Sequence, residues 1–442
     1  MFDGGNPAIV INLNDGVWLR RLRALKTKIK VGIIGTGAMG KGLCYQLHKT
    51  PGFECVALCD LRIERAAECA AWMGRKHRLV SNLAEMDQAV RDGSLAVCED
   101  GSLLARGEAV DVVIEASNAP AAGGQFALAA IQNKKHIILM NAETDLIFGP
   151  YLARLARCNG VVYSSCDGDQ PGVIKRLLDE AALWGFEIVM AGNIKGFLDR
   201  YANPASIVPE ADKRNLDYRQ ATAYTDGTKL CVEMALIANA CGGRVLTAGM
   251  RGPKARHVKD VLRLFDFHAL HRQGQPFVDY ILGAEPDGGV FVVAHYDQPY
   301  QKAMLTYYKM GEGPFYIFYR PYHLCHIEAL RCVAEAVLDG QALLQPAHGL
   351  RTNVYAYAKR DLPLGARLDG IGGYTCYGLI ENGSGNENPG LPIALTNDVT
   401  LKRAISKDVK INFHDVEYKA ERPDFALYFK ALMESEASES LR

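Results

Sequence analysis

The sequence predicts an α/β protein in several folded parts, on three observations. A short β-branched run, Ile29 to Ile34, leads into glycines spaced G-x-G-x-x-G at Gly35, Gly37 and Gly40, and the pattern then turns helical with Leu43 and Leu47 on one face. Strand-like and helix-like segments keep alternating to about residue 166. Beyond that point polar residues enter the apolar periodicity, and the last hundred or so residues read as short alternating strands between turns. At 442 residues the chain exceeds one ordinary core. The expected division is an N-terminal extension (1–28), a dinucleotide-binding domain (29–166), a catalytic and dimerisation α+β domain (167–340), and a small β-rich domain with a tail (341–442).

Within the extension, VWLRRLRALKTK is basic and amphipathic, a helix that lies on the body or on a partner subunit. The glycine run follows. The first glycine permits a tight turn, the second lets backbone amides approach a pyrophosphate, and the third lets helix and strand pack closely. Ala38 and Met39 sit at the helix start, where unpaired N–H groups and the dipole favour phosphate. A second strand, Cys55 to Cys59, ends at Asp60, about twenty residues past the last glycine, where an acid binds an adenosine ribose. Together these features make a Rossmann-type unit for NAD or NADP. Asp60 favours NAD, whereas Arg62 and Arg65 offer a 2′-phosphate the opposite, so the choice between the two stays open.

The next strands are VDVVIEAS (110–117), HIILMNAETD (136–145) and VVYSSCDGDQPG (161–172). Ligands of open parallel sheets bind beyond strand carboxyl ends. Asp60, Ser117 to Pro120, Asn141 to Glu143 and Asp167 to Gln170 are therefore expected around one cleft. Further on, FEIVMAGNIKG carries a strand over Phe186 to Met190. GGVFVVAHY, KAMLTYYKM and PFYIFYRPYHL read as antiparallel strands, and HIEALRCVAEAVLDG as a helix with Gly340 past its end. ENGSGNENPG is a loop by composition.

Composition excludes several classes. Lys plus Arg and Asp plus Glu are 50 each, so no global field recruits nucleic acid or an acidic membrane. There is no run long and apolar enough for a membrane helix, and Met1 to Gly16 lacks a signal-peptide core. The 12 cysteines include no C-x-x-C pair and read as buried thiols of a cytoplasmic protein. Cys325 and His326 are adjacent, about 100° apart on a helix, so one metal would rarely take both. His323 and His326 read as packed or exposed rather than ligating.

Hydride transfer also needs a group to manage the substrate oxygen. TDGTK is the leading candidate. Lys229 and Glu233 are one turn apart on a helix apolar nearly all round, with Asp226 beside them. Desolvation would lower the Lys229 pKa toward neutrality, opposed by the carboxylate. Asp226 is alternatively a cap. Lys195 in GNIKGF is a second cation or a loop lysine. Asp167, Asp169 and Gln170 bind substrate hydroxyls, or the two acids hold a divalent cation, or they cap a helix. Arg251, Lys254 and Arg256 grip a substrate phosphate or are solvated loop charge.

On these residues the first two domains resemble the homoserine-dehydrogenase-like oxidoreductases, through GIIGTGAMG, VDVVIEAS and the small-residue loop after it. MNAETD, DGDQPG, GNIKG, DGTK and the pattern RDLPLGARL with LKRAISKDVKI resemble a narrower group, the 1-deoxy-D-xylulose-5-phosphate reductoisomerase-like proteins with a C-terminal SAF-like domain. That resemblance implies NADPH-dependent rearrangement and reduction of a phosphorylated keto-sugar to methylerythritol phosphate. It implies that Lys229 and Lys195 hold substrate oxygens, that Glu233 and Asp226 orient the lysine or shuttle protons, and that Glu143 faces substrate. Homoserine dehydrogenases carry a lysine near the place of Glu143, which argues against homoserine as substrate. The alternatives are a dehydrogenase of another free or nucleotide-linked sugar or hydroxy acid, and a non-catalytic NAD(P)-sensing regulator. The expected partners are a sugar-like small molecule and a second copy of the chain, as a homodimer or higher homo-oligomer, with no nucleic acid and no membrane.

Overall fold

The computed structural model describes residues 16–214, 216–383 and 390–440. Residues 1–15 of the expected extension, and 384–389 of the ENGSGNENPG loop, lie outside the described residues. The helix Val17–Arg23 lies on the body: Leu22 is buried, and Arg21 donates to Asp339 at 3.1 Å.

The nucleotide-binding part is a parallel sheet of seven strands. They are β1 (Ile29–Ile34), β2 (Phe53–Cys59), β3 (His77–Leu79), β4 (Leu95–Cys98), β5 (Val112–Glu115), β6 (His136–Leu139) and β7 (Tyr163–Ser165), in the order β3-β4-β2-β1-β5-β6-β7. The central strands are buried on both faces, as β-branched runs under helices on either side must be. The strand order reverses at β1, between β2 and β5. The crevice beyond their carboxyl ends is where such sheets take ligands.

The second sheet contains β8 (Glu187–Lys195), β9 (Phe277–Leu282), β10 (Val290–His295) and β11 (Phe315–Arg320), ordered β11-β10-β8-β9. β10 pairs antiparallel with β11 and β8, but β8 and β9 run parallel. The strand expected over Phe186 to Met190 is longer, so Lys195 ends a strand instead of sitting in a loop. KAMLTYYKM is not a strand. It belongs to helix Pro299–Tyr307, where Pro299 presets the first turn and only Leu305 is buried, so no in-and-out alternation exists to hold it in a sheet. The expected helix before Gly340 is present as Cys325–Glu328 and Leu330–Asp339, with Gly340 left-handed at its end (φ 63°).

Helix Thr228–Cys241 is the hub. It packs on β8 and β9, on helix Ala142–Asn159, and on β12 (Thr352–Ala358) and β14 (Cys376–Asn382). Contact on every side explains its nearly uninterrupted apolar sequence. β12 and β14 form an antiparallel pair, and β13 (Arg367–Asp369), β15 (Asn397–Leu401) and β16 (Val416–Glu417) a small second sheet.

Two features tie later parts of the chain to the last strands and helix of the parallel sheet. Leu344 bridges antiparallel to Ser165 at the edge of the parallel sheet, and Ser164 Oγ accepts from the Leu343 and Leu344 amides at 3.1 Å. Helix Pro423–Ser440 packs on helix Ala142–Asn159, burying Phe425, Leu427 and Tyr428. Sequence reading did not foresee this helix, although its apolar spacing and Pro423 signal it. Among the described residues no helix is long and apolar enough to cross a membrane.

Candidate active site

The glycine loop has the geometry the motif requires. Gly35 turns with φ 90°, and a Cβ there would meet the Ala116 backbone at 2.7 Å. A Cβ on Gly40 would lie 1.8 Å from Gly35 O, so helix Ala38–Lys49 can cross the loop only without one. A Cβ on Gly37 meets nothing within 4 Å, which leaves the amides of the helix start facing open space. Those are the features a pyrophosphate cradle needs, and the residues fit the cofactor. Asp60 braces the loop: one carboxylate oxygen accepts from Thr36 N and Oγ1, both at 2.9 Å, and the other from Arg62 N at 3.0 Å. Arg62 and Arg65 are exposed.

A cavity of about 680 Å³ opens beside Met39, at the start of the helix that follows this loop. Met39, Ser117 to Pro120, Asn141, Glu143 and Asp169 line one side, from the exits of β1, β5, β6 and β7. Tyr224 and Lys229, from the second part of the chain, line it next to Glu143. The third wall was not anticipated: Ile371, Asn397, Asp398 and Arg422 come from the β-rich part of the chain.

Lys229 is the central charge. Its Nζ donates to both carboxylate oxygens of Glu143 at 3.1 Å, and both side chains are mostly buried. Burial acts to lower the Lys229 pKa, but Glu143, Tyr224, Asp169 and Glu233 outweigh it and raise it. Of the two opposed effects expected at Lys229, the carboxylates prevail, and it is held as a cation because they surround it. Its direct partner is Glu143. Glu233 does not line the cavity. It is buried behind it, accepts from Asn193 Nδ2 at 3.4 Å, and has its pKa raised by burial and then by the Asp169 charge, against the pull of Lys229 and Lys195.

The structure sets several other candidates apart from the cleft. Asp226 is turned away from Lys229: its carboxylate lies 2.8 Å from Lys359 Nζ and accepts from Thr228 N. Asp167 does not face the cleft with Asp169. It receives Arg176 Nε and Nη2 at 3.0 and 2.7 Å, and Arg176 also holds Glu335, so Asp167 ties two helices together. The pair therefore does not converge on one cation. Gln170 opens helix Gln170–Leu183 and does not line the cavity. Arg251, Lys254 and Arg256 follow the far edge of the second sheet, where Lys254 bridges Leu282 and the Arg251 amide donates to Asp279, and none of the three lines the cavity. Arg219 and Arg422 are the guanidinium groups that do.

Sequence reasoning missed Glu115. It is fully buried at the end of β5, with Oε1 accepting from Ser117 N at 2.9 Å and Oε2 without a partner. Burial pushes its pKa up to about 7, against the pull of Ser117 and Asn141. An acid ending the apolar run VDVVIEAS was the available signal. Asn141 caps helix Ala142–Asn159 through Thr144 N at 3.2 Å, and its Nδ2 is buried without a partner.

A parallel sheet with this glycine loop, facing a cavity that holds a buried lysine–carboxylate pair, defines an NAD(P)-dependent oxidoreductase. Residues 29–139 match the model of the GFO/IDH/MocA oxidoreductase family, NAD-binding Rossmann fold, and residues 168–329 match that of oxidoreductase DRL, catalytic domain. No curated protein matches the chain. Among solved structures, a probable dehydrogenase from Thermotoga maritima is 12% identical over 71% of this chain and 90% of its own, with a TM-score of 0.41. A DOX-P reductoisomerase with fosmidomycin and magnesium is 16% identical over 70% of this chain and 79% of its own, TM-score 0.36. GenD2 from gentamicin A biosynthesis, in complex with NAD, is 13% identical over 71% of this chain and 88% of its own, TM-score 0.37.

Proposed function

We propose that the protein reduces a phosphorylated keto-sugar, with reductoisomerisation of 1-deoxy-D-xylulose 5-phosphate to 2-C-methyl-D-erythritol 4-phosphate as the specific reaction. The observation that carries the reading is Lys229, a buried ammonium held at 3.1 Å by Glu143 in the cavity that Met39, at the start of the helix after the glycine loop, also lines. A bound reduced nicotinamide supplies a hydride for a carbonyl carbon. The loop from Gly35 to Gly40 and the β5 exit at Ser117 would hold that cofactor. Lys229 holds the substrate oxygen and offsets the negative charge it gains, a contribution that grows as bound substrate and cofactor displace water. Glu143 fixes the ammonium in place and, as the carboxylate in direct contact, does most to keep Lys229 protonated. Arg219, on the outer wall, suits a phosphate of the substrate or cofactor, whereas Arg422 is held by Asp424 at 2.7 and 2.8 Å and shapes the wall.

The match of the catalytic segment to an oxidoreductase domain supports turnover over sensing. The SAF-like reading of the β-rich part fits a wall that closes over a sugar-like ligand. Free thiols at all 12 cysteines support a cytoplasmic setting, and a homodimer remains the proposed assembly. The test is a cofactor-oxidation screen over phosphorylated and unphosphorylated ketoses. Activity confined to phosphorylated ketoses is expected. Turnover only on free or nucleotide-linked sugars moves the protein to a different dehydrogenase, and cofactor binding without any turnover moves it to a sensor.

A further inference from the structure

We propose that Asp169, His323 and Cys325 form a binding site for a divalent transition metal of the zinc class, at the edge of the cleft. The three residues come from two distant parts of the chain. Asp169 precedes helix Gln170–Leu183 at the exit of β7, yet its carboxylate makes no capping hydrogen bond to that helix. It points instead toward the segment after β11. There Cys325 Sγ lies 3.8 Å from Asp169 Oδ1 and 3.6 Å from His323 Nδ1. The three donor atoms all lie within 4.8 Å of one another.

These separations match those of a metal's ligands. Zinc bonds of about 2.3 Å to sulfur and about 2.0–2.2 Å to nitrogen and oxygen give a tetrahedron with edges of roughly 3.3–3.6 Å. The two edges at Cys325 need only slight contraction, and the Asp169–His323 edge lies within 4.8 Å. The segment is also held in place: the His326 ring packs where a Cβ on Gly42 would sit, and Arg320 and the Leu324 amide both engage Glu328.

Donor chemistry selects the metal. A thiolate and an imidazole favour zinc or its neighbours over magnesium or calcium, which take oxygen ligands. Three protein ligands leave a fourth position, the arrangement of sites that bind a small molecule. Asp169 and Cys325 line the same cavity as Lys229 and Glu143. A substrate oxygen can take that fourth position, and this last clause rests on the proposed reaction, whereas the site itself does not.

The test uses the whole chain, stripped with a chelator and titrated with Co²⁺. A thiolate-to-cobalt charge-transfer band in the near ultraviolet is expected, saturating at about one ion per chain. Cys325→Ser and His323→Ala should abolish it. His271→Ala should not, which separates this site from the cluster of Glu187, His271 and His295 at the opposite end of β8. A second measurement needs no variant. Zn²⁺ should slow alkylation of Cys325, read by peptide mass spectrometry, by about tenfold or more, because the metal-bound thiolate is withheld from the reagent. A band that survives Cys325→Ser, or equal labelling with and without Zn²⁺, overturns the proposal. Neither readout involves turnover, so a wrong substrate assignment leaves this result intact.

Discussion

Lys359 Nζ lies 2.8 Å from the Asp226 carboxylate, and neither side chain is accessible to water. The same ammonium donates to the carbonyls of Ala202 and Gly373 at 2.6 and 2.9 Å. One cation thus fastens the β-rich part of the chain to the N-terminal end of the hub helix, one turn from Lys229. Removing either partner strands a buried charge, which costs about 3–5 kcal/mol. Lys359→Met and Asp226→Asn should each lower stability by that order in denaturant titration, and the double variant should recover part of it. Additive losses would show that the two groups do not interact.

Lys229→Ala should lower kcat by about tenfold at least, with NAD(P) affinity unchanged. Glu143→Gln should lower kcat less, because it leaves the ammonium present but less well fixed. Steady-state kinetics with a parallel cofactor titration measures both. Unchanged turnover in Lys229→Ala removes it from the mechanism.

Asp60 accepts from the glycine loop itself, so its loss should weaken both cofactors. Asp60→Ala is expected to cost about 1–3 kcal/mol of binding to NADH and NADPH alike. Arg62→Ala should weaken NADPH alone if its guanidinium meets the 2′-phosphate. Fluorescence titration with the two cofactors gives the comparison, and a loss confined to NADH in Asp60→Ala would mean that the acid serves only the ribose.

Glu115 sets a pH dependence of stability. Its pKa rises on folding from 4.5 to about 7 through burial. Between those values the folded chain keeps a proton that the unfolded chain has released. Stability is therefore highest below about 4.5, falls as pH rises to about 7, and is then flat with respect to this group. Asp145, raised to about 6 by burial, adds in the same direction. Glu115→Gln should flatten the slope of the thermal midpoint across this window, by an amount on the order of 3 kcal/mol. An unchanged slope would show that the carboxyl is not titrating there.

Arg219→Ala should raise KM for a phosphorylated substrate by about tenfold, as loss of a charge-assisted contact does. Arg251→Ala and Arg256→Ala should leave it unchanged. The opposite pattern would place the phosphate outside the cavity described above.

The sequence was most legible where chemistry is local. The strand before Gly35, the helix after Gly40 and Gly340 as a helix stop all follow from backbone rules over a few residues. Lys229 was legible because a charge on an all-apolar helix is conspicuous. What was hidden depended on partners far away in the chain. Asp226 and Asp167 looked like site residues by position, but Lys359 and Arg176 claim their carboxylates. The basic run at 251–256 was separated from the cleft by the path of β9, which alternation alone did not reveal. KAMLTYYKM has strand-like residues, yet Pro299 and a single buried side chain made it a helix.

The third wall of the cavity has a consequence for how the protein comes to exist. The glycine loop is complete once residue 40 has been synthesised, and Lys229 follows, but Asn397, Asp398, Arg422 and Asp424 are made only well after both. A nascent chain can therefore hold its nucleotide site long before it owns a closed chamber, and a fragment ending at residue 329, where the second family match stops, would present an open trough.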